Sequence, residues 1–202
     1  MNDKKVVIFG GSFDPPTMAH FDIAKTLSEI FDQVLVVPCG GRVKKDFGTV
    51  TPLERSEMVI MTFGELKNVK VDLSDVTNQT FTRTYDLDRR LREQINGQVF
   101  HVIGTDLIIG GATGESEIQR CWYRGQEVWE NLNFVINSRA GFPLNEKDLP
   151  SKAEVLSVQE LAGSSTEVRA RLKAGNPITG LVVPIVEKFI IANDLYGGEN
   201  DD

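Results

Sequence analysis

Cysteine is scarce, with two residues in 202, Cys39 and Cys121. Neither forms a CxxC pair or falls at Cys/His metal-ligand spacing, so neither a disulfide framework nor a zinc site is indicated, and reduced thiols in the cytosol fit best. Histidine is equally sparse, with His20 and His101 alone. Net positive charge is absent: 29 acidic against 22 basic residues give a formal charge of -7. Binding to a nucleic acid needs a basic stripe, and none appears, so that partner is excluded. Phosphate on a small ligand is not excluded, because a few local donors suffice. Long apolar runs are missing too. "MNDKK" passes straight into the short run "VVIF", too short for a signal peptide, and no segment reaches the length of a membrane span. These absences point to a cytoplasmic protein with no membrane partner.

What is present is alternation. Apolar runs at 6–9, 34–37, 69–73, 99–103, 133–137 and 154–158 read as strands, and helical periodicity fills 19–31, 52–65, 86–94, 166–173 and 184–193. Thr51, Pro52 and Glu54 are a good helix start, as N-cap, N1 and N3. The pattern predicts an α/β protein with a single doubly wound, mostly parallel sheet and a helical C-terminus. With 41% hydrophobic residues the chain can bury a sizeable core. One domain over 1–197 is expected, with 198–202, "GENDD", as a disordered acidic tail. The glycine-rich stretch 109–120, "IGGATGESEIQR", reads as a mobile loop. In doubly wound sheets ligands meet the carboxyl ends of the strands, which directs attention to the loops after residues 9, 37, 103 and 158.

The first of these loops is "GGSFDPPTMAH". Gly10 and Gly11 permit close backbone approach, Pro15 and Pro16 stiffen the turn, and a helix begins near Thr17 to His20 with amides and a positive dipole end facing any anion. The stretch is neither GxGxxG nor a GK[ST] loop. A histidine in a first helical turn is unfavourable as a cation unless an anion sits nearby. A plain capping turn, with His20 as a cap or core residue, remains open on these residues alone.

"GGSFDPPTMAH" resembles the GG[ST]FDPxHxGH signature of the nucleotidyltransferase superfamily in its TxGH variant, and "GSSTEVRARL" (163–172) resembles its second signature, [IG]SSTxIR. The intervening order, with "TPLERSEM", "FTRTYDL", "HVIGTDL", "CWYRG" and "VINSRAGF", is similar to the nicotinate and nicotinamide mononucleotide adenylyltransferases. That resemblance implies a Rossmann-like nucleotidyltransferase fold. It also implies a reaction that joins a pyridine mononucleotide to the AMP part of ATP and releases pyrophosphate, in NAD biosynthesis. ATP is then a co-substrate and Mg2+ arrives with it, while no protein metal site is expected.

Carried onto this sequence, the resemblance assigns His20, Thr17 and Arg169 to the chemistry. It assigns Gly11, Ser12, Phe13, Lys44, Lys45, Gly104, Asp106, Ser164, Ser165 and Thr166 to nucleotide binding. Phe81, Thr82, Thr84, Trp122 and Arg139 match the positions for the pyridine mononucleotide. Arg55 falls where the family often has an arginine, with a surface salt bridge as the alternative. Asp106 could instead be an N-cap, Trp122 a core residue, and Ser164 or Ser165 a simple cap. His101, inside an apolar strand, reads as structural. The motif glycine is replaced by Ala19. That keeps two alternatives in view: another adenylyl- or cytidylyltransferase of the superfamily, and a nucleotide-binding scaffold with little turnover. The residues do not decide between nicotinate and nicotinamide, between Lys44 and Lys45, or whether the chain forms a homo-oligomer.

Overall fold

Eight residues, "KKVVIFGG", form the first strand β1 (Lys4–Gly11), and the burial of Val6, Val7, Ile8 and Phe9 explains why it is central. A strand flanked by others and covered on both faces has no solvent side, so its sequence is apolar at consecutive positions and does not alternate. The computed structural model describes residues 4–40, 50–139, 141–156 and 163–197. The other strands are β2 (Gln33–Pro38), β3 (Val69–Val71), β4 (Gly97–Gly104), β5 (Asn133–Asn137) and β6 (Ala153–Leu156). They lie in one six-stranded sheet of order β3-β2-β1-β4-β5-β6. β1 pairs with β4, β4 with β5 and β5 with β6, all parallel, with Val6 opposite Val99 and Ile103 opposite Ile136. Strand order runs outward from β1 in both directions, which is the doubly wound α/β arrangement expected from the alternating runs.

Eight α-helices accompany the strands among the described residues: α1 (Met18–Ile30), α2 (Pro52–Phe63), α3 (Ser74–Thr77), α4 (Thr84–Gln94), α5 (Glu117–Cys121), α6 (Gly125–Asn131), α7 (Ser165–Lys173) and α8 (Pro184–Ala192). Helix α2 begins as its sequence predicts: the Thr51 hydroxyl accepts from the Glu54 amide at 3.2 Å and the Glu54 carboxylate accepts from the Thr51 amide at 2.7 Å, a closed capping box with Pro52 at N1. None of the helices is long and apolar enough to cross a membrane, among the described residues.

The stretch 109–120 corrects the expectation of a mobile loop. It holds a 3-10 turn (Gly111–Thr113) and the start of α5, closed by a second capping box between Ser116 and Gln119. Ile118 anchors this segment, fully buried in an apolar cluster. The S-x-x-Q spacing that makes the box is present in "SEIQ", directly after a run rich in glycine that by itself favours a loop. The last strand and the acidic tail extend in expectation to residues 158 and 202, and residues 157–158 and 198–202 lie outside the described residues.

By its contacts the chain forms two compact units. Unit 1 comprises Met1–Phe9, Phe31–Val34 and Thr82–Glu160, and unit 2 comprises Gly10–Ile30, Leu35–Phe81 and Leu161–Asp202. The core of unit 1 includes Ile103, Ile108, Ile118, Val128, Trp129 and Phe134. That of unit 2 gathers Met58 from α2, Val168 from α7, Val186 and Ile190 from α8, and Leu195 with Tyr196 beyond it. Each such side chain contributes ~1.5–3 kcal/mol on burial, so α7 and α8 are held by this cluster more than by their own short length.

Candidate active site

In unit 2, the turn after β1 is built around Phe13. Its backbone takes a positive φ of 47°, folding the ring back under the chain until a Cβ on Gly11 would stand 2.9 Å from it. Only glycine accommodates that approach. The Phe13 ring is buried and meets the rings of His20 and Phe63 edge to face, at centroid distances of 5.1 and 5.4 Å. With the ring buried, what Phe13 leaves at the surface of this turn is backbone.

Two cations hold the turn in place. Arg55, on α2, is 2% exposed, which removes the alternative of a surface salt bridge. Its guanidinium donates to the Ser12 carbonyl at 3.0 Å and to the Gly40 carbonyl at 3.5 Å, bridging the ends of the loops after β1 and β2. Arg169, on α7, donates to the Asp14 carbonyl, and Ser165 donates its hydroxyl proton to the Pro15 carbonyl at 2.8 Å. The two signatures, some 150 residues apart (Ser165 and Pro15), are thus bonded directly to each other. Arg169 also lies 3.8 Å from the Asp14 carboxylate and 3.4 Å from the Thr166 hydroxyl. The Arg169 guanidinium is therefore already met in part by one backbone carbonyl, one hydroxyl and, at longer range, one carboxylate. Ser164 caps α7 by accepting from the Glu167 amide at 3.1 Å.

At the start of α1, the Thr17 amide donates to Nδ1 of His20 at 3.0 Å, and the Thr17 hydroxyl lies 2.9 Å from the same nitrogen. Since Nδ1 accepts, the neutral ring carries its proton on Nε2, which makes Nε2 the donor. The helix amides are less open than the sequence suggests. Met18 donates to the Leu181 carbonyl at 2.8 Å and His20 to the Thr17 hydroxyl at 3.5 Å. Among the described residues, the amide of Ala19 is the remaining one of that first turn with no such bond. Thr17 is fully buried, whereas His20 is partly exposed.

Two residues that sequence reasoning passed over complete this half. Asp14 is 4% exposed and accepts at Oδ1 from the Tyr196 hydroxyl at 2.7 Å. Burial, and then the Asp14 charge, push the Tyr196 phenol far above its ordinary value. A tyrosine so placed remains a donor. The signal available in sequence was a charged residue, Asp14, between Phe13 and Pro15, where solvent exposure is not guaranteed.

In unit 1, Gly104 ends β4 and Asp106 follows in a 3-10 turn (Thr105–Leu107) with Gly104 at its N-cap and no side-chain cap, so Asp106 is not a capping residue. Its Oδ2 accepts from Arg139 Nη1 at 2.6 Å. Its Oδ1 is buried with no hydrogen-bond partner among the described residues. A buried unpartnered carboxylate oxygen is costly unless a donor arrives. A Cβ at position 104 would stand 2.3 Å from that oxygen, so the glycine keeps the approach to it open. Trp122, at the end of α5, is half-buried against the unit 1 cluster, so it serves the core whatever else it does. Thr84 opens α4 in this unit, while Phe81, the last residue of a unit 2 segment, is 41% exposed. Beside Trp122 stands a ladder that no spacing rule announces: Arg83 lies over Tyr123 and Arg124 over Tyr85, each 4.4 Å from the ring centroid. His101 is structural as expected, bonded through Nε2 to buried Asp88 at 2.9 Å. Lys44 and Lys45 lie outside the described residues.

A doubly wound parallel sheet whose first strand ends in a turn bonded to an SSTEVR helix is that of a nucleotidyltransferase. The chain belongs to the cytidylyltransferase-like family, whose model matches residues 8–171. It is 32% identical over 95% of its length to a Leifsonia xyli protein named "Probable nicotinate-nucleotide adenylyltransferase", covering 94% of that relative. It is 28% identical to the nicotinate-nucleotide adenylyltransferase of Bacillus subtilis, covering 96% of this chain and 98% of that one. In structure it is similar to the Plasmodium falciparum nicotinic acid mononucleotide adenylyltransferase complexed with NaAD, with a TM-score of 0.76, 27% identity, and coverage of 96% and 97% of the two chains.

Proposed function

We propose that this chain joins nicotinate mononucleotide to the AMP portion of ATP, forming the dinucleotide and pyrophosphate, in NAD biosynthesis. An oxygen of the mononucleotide phosphate attacks the α-phosphorus of ATP, a new P–O–P bond forms, and the bond from that phosphorus to the β-phosphate bridging oxygen breaks. The nucleophile is a phosphate, largely ionised at neutral pH because its second pKa is about 6. No general base is required. The chain has to hold two polyanions in line and neutralise the charge that builds on the transferring group.

In this reading Nε2 of His20 donates to the α-phosphate, while Thr17 fixes the ring and its tautomer. Arg169, Ser165 and Thr166 on α7 face the ATP phosphates, with Lys44 or Lys45. Gly11, Ser12 and Phe13 present backbone to the nucleotides. Gly104 and Asp106 take a ribose, whose hydroxyl would supply the donor that Asp106 Oδ1 lacks. Phe81, Thr82, Thr84 and Trp122 take the pyridine, and Arg139 the mononucleotide phosphate. Magnesium supplies charge neutralisation when it arrives on the ATP phosphates. The described residues bring no three His, Cys, Asp or Glu side chains together as ligands, so no residue of this chain is assigned to it. We read 1–197 as one functional domain, supported by a family match that runs from residue 8 to 171. We place the reaction in the cytoplasm, and the assigned roles call on one chain and do not require a homo-oligomer.

The observation that carries this reading is the pair of hydrogen bonds by which Ser165 and Arg169 hold the Pro15 and Asp14 carbonyls. They join two distant signatures into one group, which supports reading both as parts of one phosphate site. Incubation with ATP, magnesium and nicotinate mononucleotide is expected to yield dinucleotide and pyrophosphate in equal amounts. ATP binding with no product would instead favour a scaffold, the reading that Ala19 keeps in view.

A further inference from the structure

We propose that Tyr196 is a positioning residue for the ATP half of the reaction: it holds the Asp14 carboxylate off Arg169, so that the guanidinium remains able to meet phosphate. The inference rests on the reading of Arg169 as a phosphate-facing group.

Asp14 and Arg169 are an acid and a base within 3.8 Å of each other, and Asp14 is buried. Left to themselves such groups close into a bidentate pair with bonds of about 2.7–2.9 Å. They do not do so here. Arg169 Nη1 donates to the backbone carbonyl of Asp14 instead, and the carboxylate oxygen Oδ1 accepts from the Tyr196 hydroxyl at 2.7 Å. The tyrosine is itself rigid. It belongs to the unit 2 core cluster, it sits at a positive φ of 63°, and the neighbouring Leu195 amide donates to the Ile190 carbonyl at 3.0 Å. Burial and the Asp14 charge both raise the phenol above its ordinary value, which favours the protonated, donating form. The Arg169 side chain is 35% exposed, which leaves its far side accessible to an incoming anion while its near side is tied to the turn. Tyr196 thus sets how much of the Arg169 charge is spent on Asp14 and how much remains for nucleotide.

Tyr196→Phe removes the hydroxyl and keeps the ring in the core. Released at Oδ1, Asp14 is expected to close on Arg169 and lower kcat/KM for ATP about tenfold, with KM for nicotinate mononucleotide unchanged. Adding Asp14→Asn to that variant is expected to recover most of the loss, because a neutral side chain does not capture the guanidinium. Unchanged ATP kinetics in Tyr196→Phe, or equal losses for both substrates with a lowered Tm and no recovery in the double variant, would overturn the proposal. Should Tyr196→Phe fail to fold, Asp14→Asn alone decides: KM for ATP at or below the wild-type value supports it, and a raised KM overturns it. A wild-type protein that makes no dinucleotide defeats the underlying reading of function, a result separate from any of these.

Discussion

The backbone amide of Thr17 donates to Nδ1 of His20 across 3.0 Å, and this bond decides which nitrogen of the ring can serve a phosphate. With Nδ1 occupied as an acceptor, Nε2 carries the proton. His20→Ala is therefore expected to lower kcat by about 10²–10³-fold, the usual cost of one preorganised donor, with little change in KM for the mononucleotide. Steady-state kinetics with each substrate varied separately checks this, and an unaltered kcat would remove His20 from the chemistry.

Gly104 and Asp106 should fail together. A Cβ on residue 104 would stand 2.3 Å from Asp106 Oδ1, the buried oxygen with no partner among the described residues. Gly104→Ala is expected to raise the dissociation constant of a nucleotide by about tenfold, as Asp106→Ala does, since either change removes one hydrogen bond to a charged acceptor. Calorimetric titration with a non-hydrolysable ATP analogue and with the mononucleotide reports which ligand is affected. Tight binding of both ligands to Gly104→Ala would dissociate the glycine from this role.

Arg55 supports the turn after β1 from a buried position. Its buried guanidinium serves the Ser12 and Gly40 carbonyls. Arg55→Met leaves those carbonyls without their donor, and a loss of about 2–3 kcal/mol is expected. For a chain of this size that corresponds to roughly a 4–12 °C fall in Tm. Thermal unfolding measures it. A Tm unchanged from wild type would contradict the bridging role.

Acid stability should report on Asp88. Burial alone would raise its carboxyl, but the hydrogen bonds and charges of His101 and Arg92 more than offset that and hold it below its ordinary 3.8. A carboxyl lowered on folding adds stability that is present above the unfolded pKa and lost as pH falls through the folded one. Denaturant unfolding between pH 7 and pH 3 is expected to show a steeper acid decline in wild type than in Asp88→Asn. Parallel declines would show that the Asp88 pair adds no linked stability.

Much of this was legible in sequence because it rests on local rules. Buried parallel strands are apolar at consecutive positions, so the runs near β1, β4 and β5 declare themselves, and Thr51, Pro52 and Glu54 spell a helix start. Short helices such as α5 and α6 span too few turns for periodicity, and α5 was recoverable only from Ser116 and Gln119. The site divides in the same way. His20 and Thr17 are three residues apart and belong to one motif. Tyr196 and Asp14 are separated by 182 positions, and Arg55 bonds to backbone carbonyls, which no side-chain pattern reveals. A charged residue in a helix reads as solvated until its burial is known.

The most direct test of the account is a side-by-side measurement of pyrophosphate release with ATP, magnesium and either nicotinate or nicotinamide mononucleotide. Release with nicotinate mononucleotide, matched by dinucleotide formation and at higher kcat/KM than with the nicotinamide form, is the predicted result. No release with either mononucleotide, from folded protein that binds ATP, would contradict it.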